Sequence, residues 1–504
     1  MMKDFPPRLI NPPPKRSDWG DALVYLPANV RLVLYADTFP SEWITGCVEL
    51  WKNYTLGRGA LRVETQTGNS GTHGFSLQAR NEGGALTLPQ LESPESYCLK
   101  AGPDGIAARA VDEISLMHAW MTLIQMLQPY ALEERECRFS VPCSRIGDWP
   151  ALKFRGVHLC VFPETDLLQL ERMIRAAALM KYSHVILEFW GSLRRKSFPL
   201  LGWPHMHEPE DIRPLINAGR ELGLEMVPMF NIWGHASGSR VAFGRHVVLD
   251  QDPSQALLFE PGGWTWCFQH PDTLPLHLDI CRELCDLFGP GTYFHLGCDE
   301  AYSHASCDRC REKNGSELFL NHVNALADDL LSKGRRPMIW GDALLDATRW
   351  KHPVFATSRP DQKTHEALRK LNRDIVICDW QYSLKDEPVS SAMYFAEQGF
   401  DVVLCPWLDL ENIRCLAHAA GKDAHHGFMQ TTWHTLAEYP HMLPAGAAGG
   451  WVGDTDTVYP SPTFEGPGYL ANLGQHYRTL LPGDGSYGQA GWNEGELCDK
   501  GVLP

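Results

Sequence analysis

Residues 156–190 read GVHLCVFPETDLLQLERMIRAAALMKYSHVILEFW. A short apolar run (156–161) leads through a polar turn into LLQLERMIRAAALM, whose apolar residues recur at helical spacing. A second apolar run, SHVILEF (183–189), follows. This strand–helix–strand unit recurs downstream. Further candidate strands are LEMVPMF (224–230), YFHLG (293–297), RPMIW (336–340), DIVICDW (374–380), DVVLCPW (401–407) and GFMQTTW (427–433). Helical patterns such as DIRPLINAGREL, LPLHLDICRELCDLF and ELFLNHVNALADDLL lie between them. Eight strands alternating with helices over some 300 residues is the count of a (β/α)8 barrel. A doubly wound sheet is the alternative, but no Gly-rich phosphate loop follows the first strand.

Upstream, residues 20–150 read as a small α+β domain. Short β-rich runs (RLVLYAD, LRVET, GFSLQAR) lead to two strands joined at Asp104-Gly105. A helix then carries Ile114, Met117, Trp120, Met121, Ile124 and Leu127 on one face. SRIGDWPALKF reads as a linker into the barrel, placed at 151–455. A Pro-rich lead-in (1–19) and a turn-rich tail (456–504) complete the organisation.

Of the 504 residues 44% are hydrophobic and 21% charged, which is globular rather than disordered or fibrous. The net charge of −16 makes phosphate backbones and anionic lipid poor partners, so neither nucleic acid nor a membrane is expected. No window approaches the roughly 18 consecutive apolar residues of a membrane-spanning helix. The opening MMKDFPPRLINPPPKRSDWG lacks the apolar centre of a secretory signal, so a cytoplasmic location is expected. Fifteen Cys, an odd number spread over a long chain, do not resemble a disulfide framework. Cys307-Asp-Arg-Cys310 has zinc-like spacing, but no second C-x-x-C or H-x-x-x-H partner follows it, and free thiols or a local staple are the expectation.

Barrel chemistry sits at the C-terminal ends of the strands, which turns the strand list into a site list. The second strand ends at Glu188-Phe189-Trp190, and the third runs out through Asn231-Ile-Trp-Gly-His235. The fourth ends in His295-Leu-Gly-Cys-Asp299-Glu300, the fifth in Trp340-Gly-Asp342. The last three end at Trp380, Trp407 and Trp433, and four successive strand-end tryptophans would wall a pocket with flat apolar faces. Glycoside cleavage needs a carboxylic acid of raised pKa to protonate the leaving oxygen. An adjacent Asp-Glu pair is too close for acid and nucleophile to flank the bond. It suits a reaction in which the substrate's own 2-acetamido group attacks. An exposed loop pair, or metal ligands, are the alternatives for such a dipeptide.

On these motifs the chain resembles glycoside hydrolase family 20, the β-N-acetylhexosaminidases, over about residues 85–455. HLGCDE resembles the family's H-[IL]-G-G-D-E signature, with Cys298 in place of the second Gly. ESYCLKAGPDGIAARAV with IGDWPALKFRGVHL is similar to the family's approach to its barrel. GCDE, VILEFWGSLRRKSFPLLG and MIWGDALLD are closest to the hexosaminidase D-like branch. The resemblance implies a retaining, substrate-assisted exo-acting enzyme that releases terminal β-linked GlcNAc or GalNAc and needs no cofactor or metal. It implies Glu300 as general acid and then base, with Asp299 holding the acetamido N–H. It places Glu188 and His235 near the acid. Trp340, Trp380 and Trp433 become pocket tryptophans, with Trp433 as the floor. Asp342 would bind a hydroxyl or brace its loop.

Three departures qualify the resemblance. Where the family's first strand ends with a ring-gripping Arg, this chain has Leu159-Cys-Val-Phe162. The family's P-W-Y-L-D reads Pro406-Trp407-Leu-Asp409 here, which leaves Trp407 or Tyr382 for the acetamido oxygen. Its Trp-x-Glu after the last strand is replaced by Trp433-His434-Thr435. A related glycosidase for another sugar, a non-catalytic carbohydrate-binding barrel, and a hydrolase with a cation on Asp299, Glu300, His235 and Glu188 therefore stay open. So do a homodimer in which a second copy's Trp completes the pocket, and the role of Trp264-Thr-Trp266 as lid or packed insertion.

Overall fold

The computed structural model describes residues 10–27, 29–35, 39–55, 60–66, 73–78, 94–133, 136–239, 244–423, 425–436 and 441–453. The expected tail at 456–504 and the first nine residues of the lead-in lie outside them.

The N-terminal part is an eight-stranded sheet with two helices. Its strands are β1 (Arg16–Tyr25), β2 (Asn29–Tyr35), β3 (Ala60–Gln66), β4 (His73–Gln78), β5 (Tyr97–Gly102), β6 (Gly105–Ala110), β7 (Gln128–Glu133) and β8 (Glu136–Asp148). They run in the order β1-β8-β5-β6-β4-β2-β3, with β7 paired to β8. Helix α2 (Glu113–Met126) is the helix expected from its apolar spacing; Asp112 caps it by accepting from Ser115 N. Helix α1 (Ser41–Tyr54) was not anticipated; its Trp51 packs 5.9 Å from Trp120 of α2.

SRIGD is not a linker. It is the end of β8, with Ile146 paired to both Ser17 and Leu99. Its last residue, Asp148, is fully buried and accepts from Lys181 Nζ at 2.8 Å, Tyr97 OH at 2.7 Å and Trp451 Nε1 at 2.9 Å. This knot fastens the sheet to the barrel. Removing one partner of such a pair would leave a buried charge uncompensated, at a cost of about 3–5 kcal/mol.

All eight expected barrel strands form: β9 (Phe154–Val161), β10 (His184–Phe189), β11 (Glu225–Met229), β12 (Tyr293–His295), β13 (Arg336–Trp340), β14 (Val376–Trp380), β15 (Val402–Cys405) and β16 (Gly427–Thr431). They close into a parallel barrel, with β16 pairing back to β9. Crossover helices are α3 (Leu167–Leu179), α4 (Pro209–Arg220), α5 (Thr273–Phe288), α6 (Gly315–Ser332), α7 (Ser390–Glu397) and α8 (Leu410–Lys422), and α9 (Met442–Val452) follows the last strand. Between β13 and β14 the chain makes two 3-10 turns instead, Asp342–Leu344 and Thr364–Arg369. The barrel is a packed core rather than a pore: Phe154, Ile186, Met229, Met338, Trp340 and Met429 belong to one buried cluster inside it. Among the described residues, no helix is long and apolar enough to cross a membrane.

Candidate active site

β12 stops at His295, two residues earlier than its apolar run suggests. Gly297 (φ 68°) and Cys298 (φ 81°) turn through the left-handed region, and Glu300 (φ 48°) does so again. Glycine tolerates that region freely, whereas Cys298 holds it under strain of order 1–3 kcal/mol. The turn aims Asp299 and Glu300 into a cavity of about 290 Å³ at the C-terminal mouth of the barrel.

The loop after β11 comes to meet them. Gly234 packs so tightly on this turn that a Cβ there would lie 2.0 Å from the Asp299 carbonyl oxygen. Gly234→Ala is therefore expected to destabilise the fold by about 1–3 kcal/mol and to part His235 from the carboxylates. A thermal melt checks the first effect. An unchanged melt would contradict the close approach.

His235 Nε2 sits 3.3 Å from Asp299 Oδ2 and 3.4 Å from Glu300 Oε2, as an ion pair rather than as aligned hydrogen bonds. Burial opposes its charge, but the two carboxylates outweigh burial and hold its pKa well above the ordinary histidine value. A group raised on folding contributes stability that is complete below its unfolded value, about 6.5, and is lost as pH rises through the folded value. The stability difference between the native chain and His235→Asn should thus be greatest below about pH 6.5 and shrink in alkali. Urea unfolding across pH measures it; a pH-independent difference would contradict the ion pair.

The two carboxylates differ. Burial raises the Asp299 pKa, against the pull of His235. Its Oδ1 is buried with no hydrogen-bond partner. Glu300 is about a quarter exposed. Burial pushes its pKa up, yet the His235 cation and the Tyr302 hydroxyl, which donates to Oε1 at 2.7 Å, bring the net value below the ordinary one. The expectation of a raised acid pKa is thus not met in the free site. The surrounding charges favour the protonated form of His235 and the ionised form of Glu300. Trp264 Nε1 donates to the Glu300 carbonyl at 2.7 Å, and its ring lies 4.4 Å from His235. Trp266 is fully buried, so the Trp264-Thr-Trp266 segment is a packed insertion.

Of the site residues expected from sequence, Asp299, Glu300, His235, Trp380, Tyr382, Trp407 and Trp433 line this one cavity. Trp433 Nε1 donates to the Tyr382 oxygen at 2.8 Å, and Tyr382 lies 5.0 Å from Trp380 and 5.3 Å from Trp407. Glu188, Trp340 and Asp342 stand behind the walls rather than in them. Glu188 is buried, 2.9 Å from His158 Nε2, and accepts from Asn231 Nδ2 at 2.6 Å. Trp340 is fully buried under the floor, 5.7 Å from Trp433. Asp342 accepts from Trp380 Nε1 at 3.0 Å, from Thr357 at 2.7 Å and from Glu300 N at 3.2 Å. It braces the Glu300 backbone. Burial, reinforced by the Asp299 charge, pushes its own pKa up to about 7.

Cys160, Phe162, Trp190, Phe355 and His434 also line the cavity. Trp190 follows the strand-end rule that marked Glu188, and His434 follows Trp433. Phe355 comes from the loop between β13 and β14, where nothing in the sequence marks it. Among the described residues, no Arg lines the cavity. His235, Asp299 and Glu300 lie close enough to hold a metal ion, as do His158, Cys160 and Glu188.

A carboxylate pair in an aromatic-walled pocket at this end of a parallel barrel is the arrangement of barrel-type glycoside hydrolases. The sequence model of the family described as glycosyl hydrolase family 20, catalytic domain, matches residues 184–444, and the chain belongs to that family. It is 24% identical over 387 residues to a β-hexosaminidase of Vibrio furnissii, covering 66% of this chain and 56% of that one. A β-hexosaminidase of Porphyromonas gingivalis is 20% identical over 319 residues, 58% of this chain and 40% of the relative. The chain thus spans about half the length of the curated relatives it matches. Among solved structures, a family 20 exo-β-N-acetylglucosaminidase of Vibrio harveyi in complex with N-acetylglucosamine superposes with a TM-score of 0.68 at 17% identity, covering 94% of this chain and 77% of that one. A mutant Streptomyces plicatus β-hexosaminidase with product GlcNAc gives 0.64 at 18% identity, covering 94% and 96%.

Proposed function

We propose that the chain is a retaining β-N-acetylhexosaminidase that releases terminal β-linked GlcNAc or GalNAc with help from the substrate's own acetamido group. The observation that carries this reading is the closeness of the two carboxylates. Their ligating oxygens and the His235 nitrogen all lie within 4.8 Å of one another. An inverting pair stands about 6.5–9.5 Å apart and an acid–nucleophile pair about 5–5.5 Å. That closeness, in two residues adjacent along the chain, favours a nucleophile supplied by the substrate.

Glu300 protonates the glycosidic oxygen with the proton that His235 relinquishes once the sugar displaces water. The acetamido oxygen attacks the anomeric carbon from the opposite face and closes an oxazolinium-type ring. Asp299 Oδ1, unpartnered in the free site, accepts the acetamido N–H and balances the growing positive charge. Tyr382, whose oxygen already accepts from Trp433, donates its own hydrogen to the acetamido oxygen. Glu300, now a carboxylate, deprotonates the water that opens the ring, and configuration is retained. Trp433 is the floor, with Trp380 and Trp407 as walls. Glu188, Trp340 and Asp342 act as positioning residues. A cavity of about 290 Å³ suits a single sugar ring.

Among the described residues the mouth of β9 presents Cys160 and Phe162 and no Arg, which favours a second reading in which the same machinery serves a differently hydroxylated sugar. It also supports placing the chain in the hexosaminidase D-like branch. A panel of aryl β-glycosides of GlcNAc, GalNAc, glucose and galactose decides between the two readings. Turnover confined to the acetamido sugars is expected. Equal turnover of the glucoside or galactoside would overturn the first reading.

A further inference from the structure

The half-motif Cys307-x-x-Cys310 has its missing half upstream. Cys267, on the loop after β11, brings its sulfur to 3.4 Å from Cys307 Sγ and 3.6 Å from Cys310 Sγ. A carboxylate oxygen of Glu260 completes the group, with all four ligand atoms within 4.8 Å of one another. Cys267 and Cys310 are fully buried, and Glu260 is 2% exposed. One Glu260 oxygen accepts from the backbone of Ser306 at 3.0 Å and of Cys307 at 2.6 Å, which fixes the carboxylate. The other, Oε1, is buried with no hydrogen-bond partner. Cys310 N and Arg311 N both donate to the Cys307 carbonyl, at 3.0 and 2.9 Å, winding the C-x-x-C segment into a tight knuckle.

We propose that Glu260, Cys267, Cys307 and Cys310 bind a structural zinc ion. Tetrahedral zinc with bonds of about 2.3 Å to sulfur sets its sulfurs about 3.8 Å apart. The observed spacings need open by only a few tenths of an ångström. Three sulfurs converging on one point cannot all be satisfied by a disulfide, which joins two at about 2.05 Å. An orphaned buried carboxylate oxygen beside them has no role in a disulfide. On binding, the three thiols release their protons to solvent and Zn²⁺ takes the sulfur and oxygen lone pairs with no change of oxidation state. Four protein ligands leave no open position, so the ion staples rather than catalyses.

What it staples is the support of Glu300. Cys267 lies just beyond Trp264, which holds the Glu300 carbonyl. Cys307 lies just beyond Glu300 itself, and Ser303 bonds Thr265 across the two loops at 3.1 Å. The assignment does not depend on the reaction proposed above.

The test is the metal content of the purified full chain, measured by mass spectrometry after gel filtration in reductant with zinc supplied beforehand. About one zinc per chain is expected, absent from Cys307→Ser/Cys310→Ser and retained in Cys285→Ser, whose thiol lies outside the group. Because the double variant can fail to fold, the native chain is also exchanged with cobalt. A thiolate-to-cobalt charge-transfer band and the visible bands of tetrahedral cobalt are expected, with a melting temperature that falls on chelation and returns with zinc. A folded, reduced native chain without zinc and without the cobalt bands would overturn the proposal. So would a resident Cys267–Cys307 or Cys267–Cys310 disulfide found by peptide mapping, or full zinc content in a folded double variant.

Discussion

Replacing Glu300 by Gln is expected to cut kcat on aryl β-N-acetylhexosaminides with poor leaving groups by about 10²–10⁴-fold. The substitution keeps the side chain's shape, and the Tyr302 hydroxyl that donates to Oε1 finds an amide oxygen in the same place. What disappears is the proton. A substrate whose leaving group departs unaided should lose far less, because it makes little demand on an acid. Sugar binding, followed by calorimetry with the product, should change little, since only about a quarter of Glu300 faces the cavity and the aromatic walls are untouched. Full rate in this variant would show that the acid has been assigned to the wrong carboxylate.

Asp299→Ala carries the second large effect, a loss of about 10²–10³-fold in kcat, equivalent to about 2.7–4 kcal/mol of transition-state stabilisation. The two variants should be distinguishable. Without Asp299 the acetamido N–H has no acceptor, so the preference for acetamido sugars over their 2-hydroxy counterparts should shrink. Glu300→Gln should leave that preference intact. His235 also loses one of the two carboxylates that hold its pKa up, so the alkaline limb of kcat/KM should move to lower pH. Unchanged selectivity together with an unchanged alkaline limb would remove Asp299 from both roles.

The barrel was legible because a parallel strand buried on both faces must be a short apolar run, and each of these runs stands between helical patterns. The limits of that legibility follow from residues whose partners are distant in sequence. Ser144, Ile146 and Asp148 alternate inward along β8 as a strand should. Two of them are polar, however, and Asp148 is satisfied by Lys181 and by Trp451, the latter 303 positions away. Locally the segment therefore reads as a linker.

The site shows the same division. Strand ends delivered Asp299, Glu300, His235 and the tryptophans. The sequence did not reveal which side chains stop short of the cavity. Glu188 and Trp340 end their strands correctly but face the barrel interior, where His158 and His295 meet them. Nor could it reveal that Glu300 carries a lowered pKa in the free site, because that depends on a histidine from another loop. The zinc half-motif looked incomplete for a similar reason: its partners precede it, on a loop with no C-x-x-C of its own.

The central claim, that the substrate supplies the nucleophile, is tested most directly by a series of aryl β-GlcNAc substrates with zero to three fluorines on the N-acetyl group. Each fluorine weakens the carbonyl oxygen as a nucleophile while leaving the ring and the leaving group unchanged. The account predicts that kcat/KM falls steeply and monotonically across the series. A flat series would contradict it and return the nucleophile to the protein.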